Sequence, residues 1–151
     1  MSVIHRFSGQ GDAWDWTGVP VEDLGGGVTA RRFISRRDGS DHLELRYFEL
    51  QPGARSHYEA HNYEHAVLVL RGRGQVALGE ETHDVAKGDA IFVPADEKHQ
   101  FRAAADEVFG FLCVVLDPEF RKGVYGEPRR VYFDEKRGNR LLPGRQDPPT
   151  V

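Results

Sequence analysis

The chain is predicted to fold as a single all-β domain, and three observations support this. Short apolar or alternating runs recur along the middle of the sequence, and turn signals such as RRDGSD, QPGA, RGRG and AKGD separate them. No stretch of ten residues or more shows helical periodicity. With 151 residues and 39% hydrophobic residues, the chain can bury one sizeable core. Regularly spaced short strands of this kind favour a β-sandwich or a β-barrel.

The strands follow one another in order along the barrel region, residues 28–117. The runs HAVLVLR (65–71) and FGFLCVVL (109–116) are apolar at odd and even positions alike. They are therefore expected to be central strands that are covered on both faces. The predicted strands are 28–34, 43–50, 65–71, 74–79, 90–94, 99–104 and 109–116.

The two ends of the chain differ from this middle. Residues 1–27 combine Trp14 and Trp16 with GVP and GGG, which predicts an arm that packs through its aromatic side chains. Residues 118–151 are polar and charged, and only VYF (131–133) resembles a strand. We expect this segment to be a peripheral extension that clasps a neighbouring subunit.

Charge and composition exclude several classes of partner. The formal net charge is −4, which gives no electrostatic reason to expect nucleic acid or an anionic membrane surface. No segment approaches the roughly 18 consecutive apolar residues of a membrane helix, and the start of the chain does not resemble a signal peptide. Because Cys113 is the only cysteine, no intrachain disulfide is possible. These features predict a cytoplasmic protein that acts on a small-molecule substrate.

A cluster of histidines predicts a metal site. Side chains two apart on a strand share a face, so Glu59 and His61 can reach one ion, and His65 can return to it after a tight turn. The segment GDAIFVPADEKH, which ends at His99, supplies the fourth ligand. Imidazole with carboxylate suits one divalent ion of manganese, iron, cobalt, nickel, copper or zinc. His57 has the same parity as Glu59 and is the alternative ligand.

The spacing of these residues resembles the two motifs of the cupin superfamily. Gly53 is followed by five residues, then by Glu59 and His61, three residues, His65, six residues and Gly72; the second motif falls on Gly88, Pro94, Asp96, His99 and Ala103. The resemblance implies a small single-domain cupin with a jelly-roll barrel of the cupin 2 type. Glu59 and His65 exchange the histidine and glutamate that are usual at the first and third ligands. Asp96 and Ala103 replace a frequent glycine and asparagine.

Four protein ligands on an ion that accepts six would leave two positions open, which is typical of a catalytic site. We therefore expect metal-dependent oxidation of a small, partly apolar molecule by dioxygen or peroxide. Strand parity places Phe101, Phe111 and Cys113 inside, and the candidate catalytic residues are Glu59, Tyr63 and Cys113.

Two other functions remain open. A metal-dependent isomerase or lyase would use a base such as Glu59, Tyr63 or His57. A sugar-phosphate isomerase would also need cations inside the barrel, whereas the arginines are expected mostly on turns or outward positions. A ligand-binding sensor without catalysis is the third possibility. Exposed edge strands also predict a homodimer.

Overall fold

The computed structural model describes residues 1–138 and 140 and consists of two antiparallel sheets. The six-stranded sheet has the order β1-β2-β3-β10-β5-β8, and the five-stranded sheet has the order β11-β4-β9-β6-β7. The all-β prediction is confirmed. No helix in the described part of the chain is long and apolar enough to cross a membrane. The elements are β1 (Glu22–Gly25), β2 (Val28–Ile34), a 3-10 turn (Arg36–Asp38), β3 (Leu43–Leu50), β4 (Glu59–His61), β5 (His65–Arg71), β6 (Arg73–Leu78), β7 (Glu81–Ala86), β8 (Ala90–Val93), β9 (His99–Ala103), β10 (Phe109–Leu116), α1 (Pro118–Tyr125) and β11 (Arg130–Tyr132).

The core lies between the inner faces of the two sheets. Alternate residues of β5, Val67 and Val69, point inward and are buried, as the period of two in a strand requires. Phe101 from β9 stacks on Phe111 from β10, with 4.5 Å between the ring centroids, and this contact joins the two sheets. Phe101 and Phe111 therefore lie inside the barrel, as strand parity predicts.

Two turn positions of the motifs have backbone conformations that explain their usual residues. Gly72 has φ 69°, and a Cβ atom added there would collide with the backbone carbonyl oxygen of Val108. Asp96 is the only described residue other than glycine with a positive φ, 65°. Aspartate tolerates this left-handed region better than most residues, which explains how it replaces a glycine here.

The N-terminal arm covers part of the outer face of the six-stranded sheet. Trp16 packs on Phe33 and Tyr47, with ring centroids 4.6 and 5.1 Å apart, and Trp14 stacks 6.1 Å from Tyr47. Phe7 completes this aromatic cluster by edge contacts with both tryptophans. The arm thus packs through its aromatic side chains onto its own barrel, and Tyr47 is fully buried beneath it.

The described part of the C-terminal extension contains one helix and one strand, and the strand overlaps the run VYF (131–133) that the sequence predicts. Asp117 caps α1 by accepting hydrogen bonds from the backbone N–H groups of Glu119 and Phe120, and Pro118 occupies the first turn. β11 pairs with β4 and extends the five-stranded sheet. The predicted clasp on a neighbouring subunit falls partly on residues 139 and 141–151, which lie outside the described residues.

The rest of the outer face of the six-stranded sheet is apolar and exposed. Leu68 on β5, Phe92 on β8 and Val114 on β10 are 40%, 59% and 40% exposed. The prediction that β5 and β10 are covered on both faces is therefore wrong for their outer faces within this chain. Among the described residues, β8 is also the last strand of its sheet, so one of its edges has no neighbouring strand there.

Candidate metal centre

Three strands bring three histidines together inside the barrel. His61 ends β4 and His99 begins β9 in one sheet, whereas His65 begins β5 in the other. All three side chains are buried, with exposures of 2% or less. The distances between ring centroids are 4.7, 4.9 and 5.2 Å, so the rings form a nearly equilateral triangle.

The ring nitrogens of this triangle converge. The Nε2 atoms of His61 and His65 lie 2.8 Å apart. Nδ1 of His99 lies 2.8 Å from the carbonyl oxygen of Glu97 and must donate to it, so Nε2 carries the lone pair. That Nε2 is buried and has no hydrogen-bond partner within the described part of the chain. One nitrogen from each ring lies within 4.8 Å of the others, and a divalent ion bound among them would satisfy these lone pairs.

Burial keeps the three imidazoles neutral, which is the form that binds metals. Loss of solvent lowers the pKa of His61 to about 2, and repulsion from His99 and Arg130 acts in the same direction. Burial also lowers the pKa of His99 to about 4 and that of His65 well below its ordinary value. No proton therefore competes for the lone pairs at neutral pH.

Glu59 and His57, the two candidates for the fourth ligand, have other neighbours. Among the described residues, the group of potential ligand atoms within 4.8 Å of one another consists of the three histidines alone. The buried carboxylate of Glu59 forms a salt bridge with Arg130, with 3.1 Å between Oε2 and Nε. His57 is partly buried, and its ring lies 5.8 Å from that of Tyr132. Ligation by Glu59 or His57 therefore stays a prediction.

Tyr63 packs directly against the histidine cluster. Its ring stacks on that of His61 at 3.8 Å between centroids and an angle of 11°. The guanidinium carbon of Arg121 lies 3.7 Å from the same centroid. Two groups this close to a ring cannot share one face, so the phenol lies between an imidazole and a cation. Its hydroxyl oxygen accepts a hydrogen bond from Nη2 of Arg130 at 2.8 Å.

Cys113 contacts the histidine cluster through Nδ1 of His65, the ring nitrogen that does not face His61. Its Sγ lies 3.0 Å from Nδ1 of His65 and accepts a hydrogen bond from Nη2 of Arg46 at 3.3 Å. Burial raises the pKa of the Cys113 thiol, and the nearby Arg46 opposes this effect. The thiol is thus placed to fix the orientation of the His65 ring.

Arginines are the residues that the sequence analysis missed. The expectation that they mostly avoid the interior is wrong for Arg46, which is 5% exposed on the inner face of β3. The parity of LELRYFEL contained the signal, because Arg46 shares a face with Phe48 and Leu50. Arg121 and Arg130 come from α1 and β11, and no local sequence pattern places them beside Tyr63.

Comparison with known proteins identifies the family. The sequence model of the cupin domain family matches residues 46–115. A crystal structure of a cupin-2 domain protein from Rhodospirillum rubrum is 35% identical, with a TM-score of 0.65 over 82% of each chain. The chain belongs to the cupin family. The resemblance inferred from the two motifs is confirmed, including the cupin 2 conserved barrel.

Two further proteins resemble this cupin. The polyketide cyclase RemF from Streptomyces resistomycificus is 28% identical, with a TM-score of 0.66 over 89% of this chain and 88% of that one. The 1-methylthio-D-xylulose 5-phosphate methylsulfurylase of Rhodospirillum rubrum is 49% identical over 72 residues, which are 48% of this cupin and 46% of that protein. This match spans only about half of the length of that relative.

Proposed function

We propose that this cupin is a metal-dependent enzyme that carries out isomerisation or elimination on a small molecule. The observation that carries the proposal is the triangle of His61, His65 and His99, which are buried, neutral and convergent. A divalent transition metal held there would supply Lewis-acid polarisation of a substrate oxygen. The burial of the histidines excludes bulk water from the place where that polarisation acts.

Groups that can move protons lie beside the cluster and favour isomerisation or elimination. Tyr63 keeps its own O–H to donate, because its oxygen accepts the hydrogen bond from Arg130. Arg130 also pairs with the carboxylate of Glu59, so one cation positions a phenol and a carboxylate together. An acid and a base next to a polarised oxygen are what proton abstraction and elimination require. Tyr63 is thus the proposed acid and Glu59 the proposed base.

The names of two relatives describe enzymes, which supports a catalytic role for this cupin. One relative is a methylsulfurylase and the other a polyketide cyclase. The methylsulfurylase match covers about half of that protein, so its activity supports the proposal only as an analogy.

Oxidation of a partly apolar substrate is the second candidate. The aromatic wall formed by Phe101 and Phe111 favours oxidation of such a substrate. The ring centroid of Phe101 lies 6.2 Å from that of His99, and Phe101 stacks on Phe111. Such a wall would hold an apolar substrate near the ion without competing for its open positions. This reaction requires a metal that changes valence, which isomerisation does not.

The first experiment tests the centre itself. His61→Ala, His65→Ala and His99→Ala should each lose most of the bound metal, because each removes one of few bonds to the ion. Metal content per chain is measured by elemental analysis after purification without metal-loaded resin. His83→Ala is the control, since this histidine lies on β7 with 49% of its side chain exposed. Wild-type metal content in all three variants would refute the centre.

A metal exchange separates the two reactions. Turnover that persists without oxygen when zinc fills the site would support isomerisation or elimination, because zinc has no redox chemistry. Turnover that needs iron, manganese or copper together with dioxygen would instead establish oxidation. A ligand that binds without turnover under any metal would indicate a sensor.

A further inference from the structure

Positive charge accumulates around Tyr63 beyond what the proposed acid and base require. Arg130 contacts the phenol hydroxyl and is paired with Glu59. Arg121 covers the phenol ring, and Arg46 lies on the inner face of β3. Within residues 1–138 and 140, neither Arg46 nor Arg121 forms a salt bridge with a carboxylate.

Arg46 is a buried cation without a carboxylate as a hydrogen-bond partner among the described residues. Its side chain is buried, its Nε has no hydrogen-bond partner in residues 1–138 and 140, and its Nη2 donates to the neutral thiol of Cys113. The carboxylate of Glu44 compensates part of this charge through space, although its hydrogen bond is to Arg32 at 2.9 Å, and Arg32 also pairs with Glu22. A buried guanidinium with no hydrogen-bonded carboxylate among the described residues is costly, and an anionic group of a substrate would offset that cost.

Arg121 lies close enough to Arg46 for the two positive charges to repel each other. Burial lowers the pKa of Arg121, Tyr63 and Glu44 oppose this effect, and repulsion from Arg46 and Arg130 lowers the pKa further. Arg121 is only partly buried, so an anion from solvent can reach its guanidinium. An anion bound near both arginines would replace this repulsion with attraction.

We propose that Arg46 and Arg121, next to Tyr63, form the binding subsite for a phosphate group on the substrate. This inference rests on the proposed function and names its substrate class, a small phosphate monoester. The number of acceptor oxygens favours phosphate, because the three terminal oxygens of a phosphate monoester can accept hydrogen bonds from two guanidinium groups at once. A carboxylate has two oxygens, which one bidentate guanidinium group occupies. Guanidinium groups also bind phosphate oxygens in a bidentate manner.

The test measures phosphate affinity directly. Glycerol 3-phosphate is titrated into the metal-loaded protein by isothermal calorimetry and by ³¹P NMR, and glycerate serves as the carboxylate probe. Arg121→Gln should weaken glycerol 3-phosphate binding about 10- to 100-fold, the usual effect of losing a hydrogen bond to a charged group. Lys122→Gln is the matched control, because it removes the same charge from the next residue of α1, where Lys122 is paired with Glu119. That variant should bind within about twofold of wild type.

Arg46→Gln is the second variant. If this buried substitution prevents folding, the result for Arg121→Gln alone decides the test. Metal content is measured in every variant, and each titration is repeated on metal-free protein, so that phosphate bound to the ion is separated from phosphate bound to the arginines. Wild-type protein that binds no metal would refute the proposed function but leave the metal-free titration valid. Unchanged affinity in Arg121→Gln, no saturable binding by wild type, or glycerate binding as tight as glycerol 3-phosphate would overturn the phosphate subsite.

Discussion

Acid should destabilise the metal-free protein steeply, because three buried histidines are neutral in the folded state. The folded pKa values, about 2 for His61, about 4 for His99 and well below normal for His65, lie under the unfolded value of 6.5. Below pH 6.5 the unfolded chain therefore binds more protons than the folded chain. The free energy of unfolding must fall as pH decreases through this range.

The magnitude follows from the size of these shifts. Between pH 7 and pH 5 the unfolded imidazoles become protonated and the folded ones do not, which costs about 2 kcal/mol for each histidine. Three histidines together cost about 6 kcal/mol, a large part of the stability of an ordinary domain. Most carboxylates stay ionised above pH 5, so they contribute little in this window.

Urea denaturation in the presence of a chelator, followed by circular dichroism at pH 7, 6 and 5, measures this loss. His99→Gln should reduce the pH dependence by about a third, as one of three histidines is removed. His83→Gln, at an exposed position of β7, should leave the dependence unchanged. A free energy of unfolding that stays constant from pH 7 to pH 5, or an equal slope in His99→Gln, would refute the reasoning.

Three further predictions concern the centre and the assembly. Glu59→Gln should weaken divalent metal binding in a titration, because it removes a negative charge beside the histidine cluster whether that carboxylate binds the ion or acts as the base. His57→Ala should leave metal binding nearly unaffected, and the reverse order would assign the fourth ligand to His57. Cys113→Ala should lower metal affinity about 10- to 100-fold, because the contact between the thiol and His65 is lost. Cys113→Ser should retain most of the wild-type metal affinity. Equal metal affinity in wild type and both variants would show that the thiol does not position the His65 ring. The exposed apolar face of Leu68, Phe92 and Val114, next to the outer edge of β8, is the proposed interface of a homodimer. Sedimentation should therefore give twice the 17.0 kDa chain mass for wild type and the mass of one chain for Phe92→Asp. A wild-type monomer at micromolar concentration would reject this interface.

Local sequence patterns suffice to predict the bounds of several strands, but they did not lead to the prediction of β7 or α1. The bounds 28–34, 43–50, 65–71 and 109–116 agree with β2, β3, β5 and β10, because apolar runs between strong turn signals determine strands locally. β7 was missed because its sequence, ETHDVA, has little apolar content, and pairing with β6 stabilises it instead. α1 was also missed, although Asp117 followed by Pro118 is a recognised start of a helix.

The sequence by itself determined the family and three of the proposed ligands. Turn glycines and histidines at fixed spacing are local features, and His61, His65 and His99 converge as their spacing predicts. Only the tertiary structure decided the surroundings of the cluster. Arg121 and Arg130 lie more than fifty residues from Tyr63 along the chain, and they meet it because α1 and β11 fold back onto the barrel. Pairing between distant segments depends on packing of the whole core, and no short stretch of sequence encodes it.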